Sequence, residues 1–93
     1  MTRTLALEWG TYGIKVTGVA PGPIKGTAGM AKLAPGASEA EMERELAQTI
    51  PVGRMGEKSD IALACVYLAS AAGTYISGAA LTPLGARAVC VCV

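Results

Sequence analysis

Histidine and phenylalanine are absent from this 93-residue sequence, and charged residues make up only 16% of it. The lack of histidine removes the commonest general base and the commonest metal ligand. The formal net charge is only +1, so composition gives no electrostatic basis for binding nucleic acid or an anionic membrane surface. Apolar residue types reach 52%, which argues against a disordered chain. The sequence is therefore one small domain at most, or part of a larger one.

Cysteine is also scarce, with only Cys65, Cys90 and Cys92, and an odd number cannot all pair within one chain. Zinc requires about four ligands, and no histidine is present to complete a set, so we expect no metal site. Cys65 lies in an apolar helical pattern, and we expect it to be a small buried hydrophobic residue. Such cysteine usage is typical of a reducing compartment.

A secretory signal is not indicated, because Arg3 and Glu8 interrupt the start of the chain and no apolar core follows them. Residues 61–86 carry no charge and are numerous enough to cross a bilayer. Small and polar residues occupy the middle of this stretch, and Pro83 lies near its end. We therefore interpret it as a helix, a turn and a strand, and we expect no membrane span.

Hydrophobic periodicity predicts helices that alternate with strands. The predicted elements are, in order, a helix over residues 1–9, a strand over 14–20, a long irregular loop, a helix after Ser38 that Pro51 closes, a loop over 52–58, a helix capped by Ser59 and a strand over 75–81. Ser38 and Glu41 match a capping box, and Asp60 would lie in the first turn of the helix after Ser59.

This order of elements implies an α/β fold, with a parallel sheet covered by helices. Two strands alone do not make such a sheet stable. The first predicted helix also begins without an N-cap, and the apolar fraction is high for so short a chain. We therefore expect the sequence to be a fragment of a larger domain.

The most informative local feature is the segment Pro21–Thr27, where the first predicted strand ends in a sharp turn. Ligands of open parallel sheets bind beyond the carboxyl ends of the strands. Small residues such as Gly22 and Gly26 let backbone amides approach a ligand, and the Thr27 hydroxyl can donate to a phosphate. On its own, the pattern favours an ordinary Pro-Gly turn over a ligand site.

Several stretches resemble the short-chain dehydrogenase/reductases. Residues 2–10, 13–16 and 19–24 are similar to the family's segment just after its catalytic Tyr and Lys. The run from Pro21 to Met30 is closer to one branch, the peroxisomal 2,4-dienoyl-CoA reductases. Similarity to the plant members of this branch occurs at residues 32–35, 56–58, 60–62, 67–70 and 75–78. The similarity covers residues 1–82, and residues 83–93 form a divergent tail in which the family's closing Asp-Gly-Gly is absent.

The resemblance implies the C-terminal fragment of a doubly wound Rossmann-type domain, in an NADPH-dependent oxidoreductase that reduces a 2,4-dienoyl-CoA in fatty-acid metabolism. By the same resemblance Pro21, Gly22, Pro23 and Ile24 would line the nicotinamide end of the cofactor site, with the Ile24 backbone offered to the carboxamide. Gly26 and Thr27 would lie near the pyrophosphate. Lys32 matches a basic position that contacts the acyl-CoA substrate, although it can equally be a solvated loop lysine.

The sequence departs from the family in the motifs that bind the cofactor phosphates and carry out catalysis. Neither a Gly-rich phosphate loop nor a Tyr and Lys four positions apart is present, since Tyr12 is followed at that spacing by Val16. We therefore assign no catalytic residue. Arg44, Arg54 and the glutamates of residues 39–45 are interpreted as solvated side chains. We expect the chain alone to be inactive as a reductase and to fold poorly.

Three other interpretations stay open. The chain could derive from a 3-oxoacyl-(acyl carrier protein) reductase-like enzyme, it could be a non-catalytic module that docks through apolar faces, or it could be a membrane-associated fragment. The resemblance further implies a homo-oligomer, an acyl-CoA partner and a peroxisomal location. The sequence ends in Val91-Cys92-Val93 rather than a peroxisomal tripeptide of the Ser-Lys-Leu type, so a cytoplasmic location is the alternative.

Overall fold

The computed structural model describes residues 1–33 and 35–83. Helices and two very short strands alternate along this part of the chain. In order they are α1 (Thr2–Gly10), β1 (Gly18–Val19), α2 (Ala28–Leu33), α3 (Glu39–Thr49), α4 (Lys58–Ala69), a 3₁₀ turn (Ala71–Gly73) and β2 (Ala80–Leu81). The predicted tail beyond Pro83, with Cys90 and Cys92, lies outside the described residues.

The two strands pair in parallel, as the alternation of helices and strands predicts. Gly18 lies opposite Ala80, and Val19 lies opposite Leu81. Backbone hydrogen bonds extend this ladder at both ends. The Gly78 N–H donates to the Val16 carbonyl at 2.8 Å, and the Gly22 N–H donates to the Pro83 carbonyl at 3.1 Å.

Helix α1 covers one face of this sheet, and glycine permits its close approach. A Cβ atom at Gly18 would lie 3.3 Å from the Thr2 hydroxyl oxygen, and one at Gly78 would lie 3.5 Å from the Ala6 Cβ. Alternate residues of a strand point to opposite faces, so the odd-numbered neighbours of Gly18 face the other side of the sheet.

Helix α4 covers that second face. Thr17 and Val19 line a gap of about 280 Å³ together with residues of α4 that include Leu68. The Lys15 ammonium joins the layers, because it donates to the carbonyls of Leu68 at 3.1 Å and Gly73 at 2.7 Å near the end of α4. The order helix, sheet, helix is the three-layer arrangement of a doubly wound α/β fold.

The buried core of the described residues lies outside this sheet. It consists of Ile24, Ile50 and Met55, which are 7%, 4% and 1% exposed. No residue of α1 or α4 is buried. Packing is therefore closest around the segment that follows β1 and the loop that precedes α4.

The strand predictions were too long. Strands over residues 14–20 and 75–81 were expected, whereas β1 and β2 have two residues each. Each strand has one neighbour within the described residues, so only one edge of its backbone is paired. Strands as long as the apolar alternation predicts would need further neighbouring strands, as in a wider sheet.

A helix was also missed. Helix α2 occupies part of the expected irregular loop, and its sequence contains Gly29, a poor helix former. Gly26 and Gly36, with φ of +71° and +89°, are the positions where the chain turns before and after this helix. The glycines therefore mark the limits of a short helix rather than a continuous loop.

The helix caps give one confirmation and one correction. Ser38 caps α3 as predicted, accepting a hydrogen bond from the Glu41 N–H at 3.2 Å, while the Glu41 carboxylate accepts from the Ser38 N–H. Ser59 does not cap α4. The N-cap is Glu57, whose N–H donates to the Asp60 carboxylate at 2.7 Å. Asp60 forms the stronger, charged hydrogen bond, and this fixes the start of the helix two residues earlier.

Cys65 was expected to be buried, but it is exposed. The expectation was wrong because the gap between α4 and the sheet, which Cys65 lines together with Thr17 and Leu68, leaves this side chain exposed. No helix within residues 1–33 and 35–83 has both the length and the apolar character needed to span a membrane.

Candidate functional site

The candidate site is the turn segment, residues 21–27, at the carboxyl end of β1. The Ala20 N–H donates to the Leu81 carbonyl at 2.9 Å, and Gly22 then continues the ladder to Pro83. The segment therefore leaves the sheet at the edge where open parallel sheets bind their ligands. Pro21, Gly22 and Pro23, predicted to lie near the nicotinamide, are brought to this edge.

Ile24 anchors the turn segment to the loop before α4. The Lys25 N–H donates to the Gly56 carbonyl and the Gly56 N–H donates to the Pro23 carbonyl, both at 3.0 Å, which makes Ile24 and Gly56 a parallel bridge. A Cβ atom at Gly56 would lie 2.5 Å from the Ile24 Cδ1. Glycine at this position therefore lets the loop close over the buried Ile24 side chain.

One polar group of the Ile24 backbone forms a hydrogen bond within the described residues, and the other is available to a ligand. The Ile24 carbonyl accepts a hydrogen bond from the Thr27 hydroxyl at 2.9 Å. Its N–H faces away from Gly56 and has no acceptor among the described residues. The side chain is buried in the core, so only the backbone of Ile24 is available to a ligand.

Gly26 and Thr27 lead from the bridge into α2. The Thr27 hydroxyl donates to Ile24, so donation to a phosphate would require that hydroxyl to leave the Ile24 carbonyl. Lys32 lies in the last turn of α2 and is exposed. It makes no hydrogen bond or ion pair within the described residues. The structure therefore groups Pro21–Thr27 in one turn and leaves Lys32 separate from it.

A charged cluster that sequence reasoning missed surrounds the bridge. The Lys25 Nζ lies 3.0 Å from a Glu57 carboxylate oxygen and 3.3 Å from a Glu43 oxygen. Hydrogen bonds to Glu57 and Glu43, in that order, raise the pKa of Lys25 above its usual value. Glu43 was expected to be solvated, but it contacts a lysine 18 positions away. No local spacing signals a pair formed by tertiary structure.

Arg54 and Asp60 form a third ion pair at the other side of the bridge. The guanidinium donates to both Asp60 carboxylate oxygens, at 2.7 and 3.1 Å. The Arg54 hydrogen bonds and then the Glu57 N–H lower the pKa of Asp60 to about 2. Arg54 is exposed, as expected, but it is paired rather than free. The Lys25–Glu57 pair thus ties the start of α4 to the turn segment, and the Arg54–Asp60 pair ties it to the loop before the helix.

Two clefts flank the turn segment. One has a volume of about 310 Å³, with Ile24, Arg54 and Pro83 among its lining residues. The other has a volume of about 340 Å³ and lies between α2 and α3, with Lys25, Met30 and Met42 in its lining. Their volumes are at the lower end of the ~300–1,000 Å³ range of ligand pockets. No cluster of three His, Cys, Asp or Glu side chains that could hold a metal occurs in residues 1–33 and 35–83.

Comparison with known proteins gives the class. The family described as enoyl-(acyl carrier protein) reductase matches residues 1–83. A short-chain dehydrogenase of known structure from Bacillus anthracis superposes with a TM-score of 0.75 at 38% identity, covering 100% of this chain and 34% of that one. The chain belongs to the short-chain dehydrogenase/reductase family, which confirms the resemblance and the Rossmann-type fold.

Particular relatives agree on oxidoreductase names. A peroxisomal 2,4-dienoyl-CoA reductase of Arabidopsis thaliana is 53% identical over 78 residues, which are 83% of this chain and 25% of the relative. An Agrobacterium tumefaciens structure described as a 2-deoxy-d-gluconate 3-dehydrogenase, with bound NADP, is 40% identical with a TM-score of 0.73. It covers 92% of this chain and 33% of that one. The chain thus spans about a quarter to a third of these proteins' lengths.

Proposed function

We propose that this chain forms part of an NADPH-dependent 2,4-dienoyl-CoA reductase of fatty-acid β-oxidation, located in the peroxisome. The observation that carries the proposal is the turn segment at the carboxyl end of β1, with its available Ile24 N–H. The name of the Arabidopsis relative supports the substrate class and the location. The bound NADP of the Agrobacterium structure supports the cofactor.

Within this proposal, the chain supplies contacts and not the reacting groups. Pro21, Gly22 and Pro23 shape the edge of the nicotinamide site, and the Ile24 N–H donates to the carboxamide. Gly26 and Thr27 lie near the pyrophosphate, where small residues and a hydroxyl suit an anion. When bound, the cofactor supplies the hydride that reduces one double bond of the dienoyl-CoA. Lys32, exposed on α2, contacts the CoA phosphates through its charge.

A chimera tests this function directly. Residues 1–83 would replace the matching segment of the Arabidopsis relative, and NADPH oxidation would be followed with a 2,4-dienoyl-CoA. We expect activity, and we expect T27V to raise the KM for NADPH about tenfold, because a hydrogen bond to a charged phosphate is lost. K32M is the matched variant, because it should raise the KM for the CoA substrate and leave that for NADPH unchanged.

Two results would contradict the proposal. A chimera that reduces 3-oxoacyl-(acyl carrier protein) but no dienoyl-CoA would favour the other reductase class. NADPH oxidation by the isolated 93-residue chain would disprove our view that this chain lacks the reacting groups.

A second candidate, a docking module without catalysis, is favoured by the outer side of α4. Leu63, Val66 and Tyr67 on this side are 67%, 62% and 44% exposed. Helices that are apolar all round are usually buried in a larger protein. Contact between copies through this side also suits the homo-oligomer that the resemblance implied. Sedimentation of the isolated chain, with and without L63K, would reveal such association.

A further inference from the structure

Lys25 occupies an unusual position in the turn segment, between residues to which the proposed function assigns cofactor contacts. Its N–H belongs to the Ile24–Gly56 bridge, and its side chain reaches two acidic residues from different parts of the chain. Glu43 lies on α3, and Glu57 is the N-cap of α4. One ammonium group therefore connects the turn segment with α3 and with the start of α4.

The geometry favours simultaneous contact with both carboxylates. The distances of 3.0 and 3.3 Å are those of charge-assisted hydrogen bonds, and the lysine side chain is about one-third exposed, at 34%. An ammonium group has three donors, so two carboxylates do not exhaust it. A single exposed ion pair contributes little to stability, but a network that links separate segments restricts their relative position more effectively.

We propose that Lys25 is a positioning residue for the cofactor site: its ion pairs with Glu43 and Glu57 hold the turn segment against α3 and the start of α4. The inference rests on the proposed function for the identity of the ligand. Loss of the pairs would let the bridge at Gly56 open more often. The Ile24 N–H, which the bridge orients, would then be held less firmly toward the nicotinamide carboxamide.

Hydrogen exchange of single amides measures bridge opening without any cofactor. The Gly56 N–H, bonded to Pro23, reports on the bridge, while the N–H groups of Gly18 and Ala20 report on the sheet. We expect K25M to speed exchange at Gly56 about three- to tenfold and to leave Gly18 and Ala20 unchanged. A general loss of stability would instead speed all three.

Matched variants isolate the two ion pairs. R44M removes a positive charge from α3, where no ion pair of the described residues is lost, and should leave Gly56 exchange as in the wild type. K25R should restore most of the protection. E43Q and E57Q should each speed exchange in the wild-type background, but they should add little to K25M. Equal Gly56 exchange in K25M and R44M would overturn the inference.

The chimera described above extends the test if the isolated chain does not protect these amides. There, K25M should raise the KM for NADPH about threefold or more with kcat unchanged, and K25R should reverse the change. An active chimera in which K25M has the wild-type KM would refute the positioning role alone. A wild-type chimera without reductase activity would instead refute the proposed function, and Gly56 exchange would then decide the role of Lys25.

Discussion

Two regions of the molecule differ in how completely they bury their apolar residues. The turn–helix region (residues 21–33 and 35–57) contains all three buried apolar side chains of the described chain: Ile24, Ile50 and Met55. The sheet region (residues 1–20 and 58–83) contains both strands, yet Leu63 and Tyr75 are largely exposed there. The buried apolar core of the described residues thus lies in the turn–helix region, and the sheet region contributes no side chain to it.

The composition of α4 explains the difference. No charged residue occurs from Ile61 to Ala69, so the helix has apolar residues on the side that meets the sheet and on the opposite side. An isolated surface helix would carry a polar stripe. In α3, by contrast, polar and charged residues predominate, and the apolar Ile50 that follows the helix is buried in the core. The sheet region thus fits a chain that spans about a quarter of its Arabidopsis relative.

The largest effect should come from truncating the core of the turn–helix region. Met55 is 1% exposed, and M55A should lower the free energy of unfolding by about 2–5 kcal/mol, because transfer free energy is lost and a cavity remains. In the sheet region, L63A should change it by less than about 0.5 kcal/mol, since Leu63 is 67% exposed. Urea unfolding followed by circular dichroism measures both.

The comparison would fail if L63A destabilised the chain as much as M55A. That result would mean that Leu63 is covered in solution, for example by a second copy of the chain. Repeating the measurement at several protein concentrations tests whether a second copy covers Leu63. If copies associate through this residue, the unfolding midpoint of the wild type depends on protein concentration.

A smaller but clear effect is expected from glycine substitutions in the two regions. A Cβ atom at Gly73 would clash with the backbone carbonyl of Leu68, so the end of α4 and the Lys15 hydrogen bonds must shift. G73A should therefore destabilise by about 1–3 kcal/mol. G29A in α2 meets no atom within 4 Å and should stabilise by about 0.5–1 kcal/mol.

The same unfolding experiment checks both glycine variants. A neutral G73A would show that the end of α4 moves freely, and that the Lys15 contacts do not fix it. A destabilising G29A would mean that α2 is not helical in solution, because alanine is the better helix former at a position with open space.

The sequence predicted the elements whose signals are local. The Ser38 capping box and the parallel order of the strands were both readable, because a cap depends on residues three positions apart and alternation of elements determines strand direction. The turn segment was singled out from its glycines and prolines. The bridge between Ile24 and Gly56 was not predicted, because these two residues are 32 positions apart in the sequence.

The remaining errors have a common physical source. Strand length, the burial of Cys65 and the pairing of Glu43 depend on which neighbours surround a residue, and spacing within the sequence carries no information on that. Cys65 shows this most plainly. Its apolar pattern is typical of a core position, and the side chain is nevertheless exposed in the described residues. Patterns therefore indicate which residues are suited to burial, and neighbouring segments decide which of them are buried.

The smallest effect concerns the boundary between the two regions, where Asp60 begins α4. Its carboxylate accepts from Arg54 and from the Glu57 N–H, and these contacts lower its pKa from 3.8 to about 2. Because the pKa is lower in the folded chain, the contribution of Asp60 to stability is complete above pH 3.8 and is lost as the pH falls toward 2. D60N should remove this dependence.

The measurement is the unfolding midpoint of the wild type and D60N at pH 5 and near pH 2. D60N differs from the wild type only in this carboxylate, so the difference between the two proteins isolates Asp60. We expect D60N to be less stable at pH 5 and the difference to shrink near pH 2. R54M should narrow the gap at pH 5, since Arg54 is the main cause of the lowered pKa. A difference that persisted unchanged at low pH would show that the charge of Asp60 does not hold the start of α4, and that the two regions are joined there by packing alone.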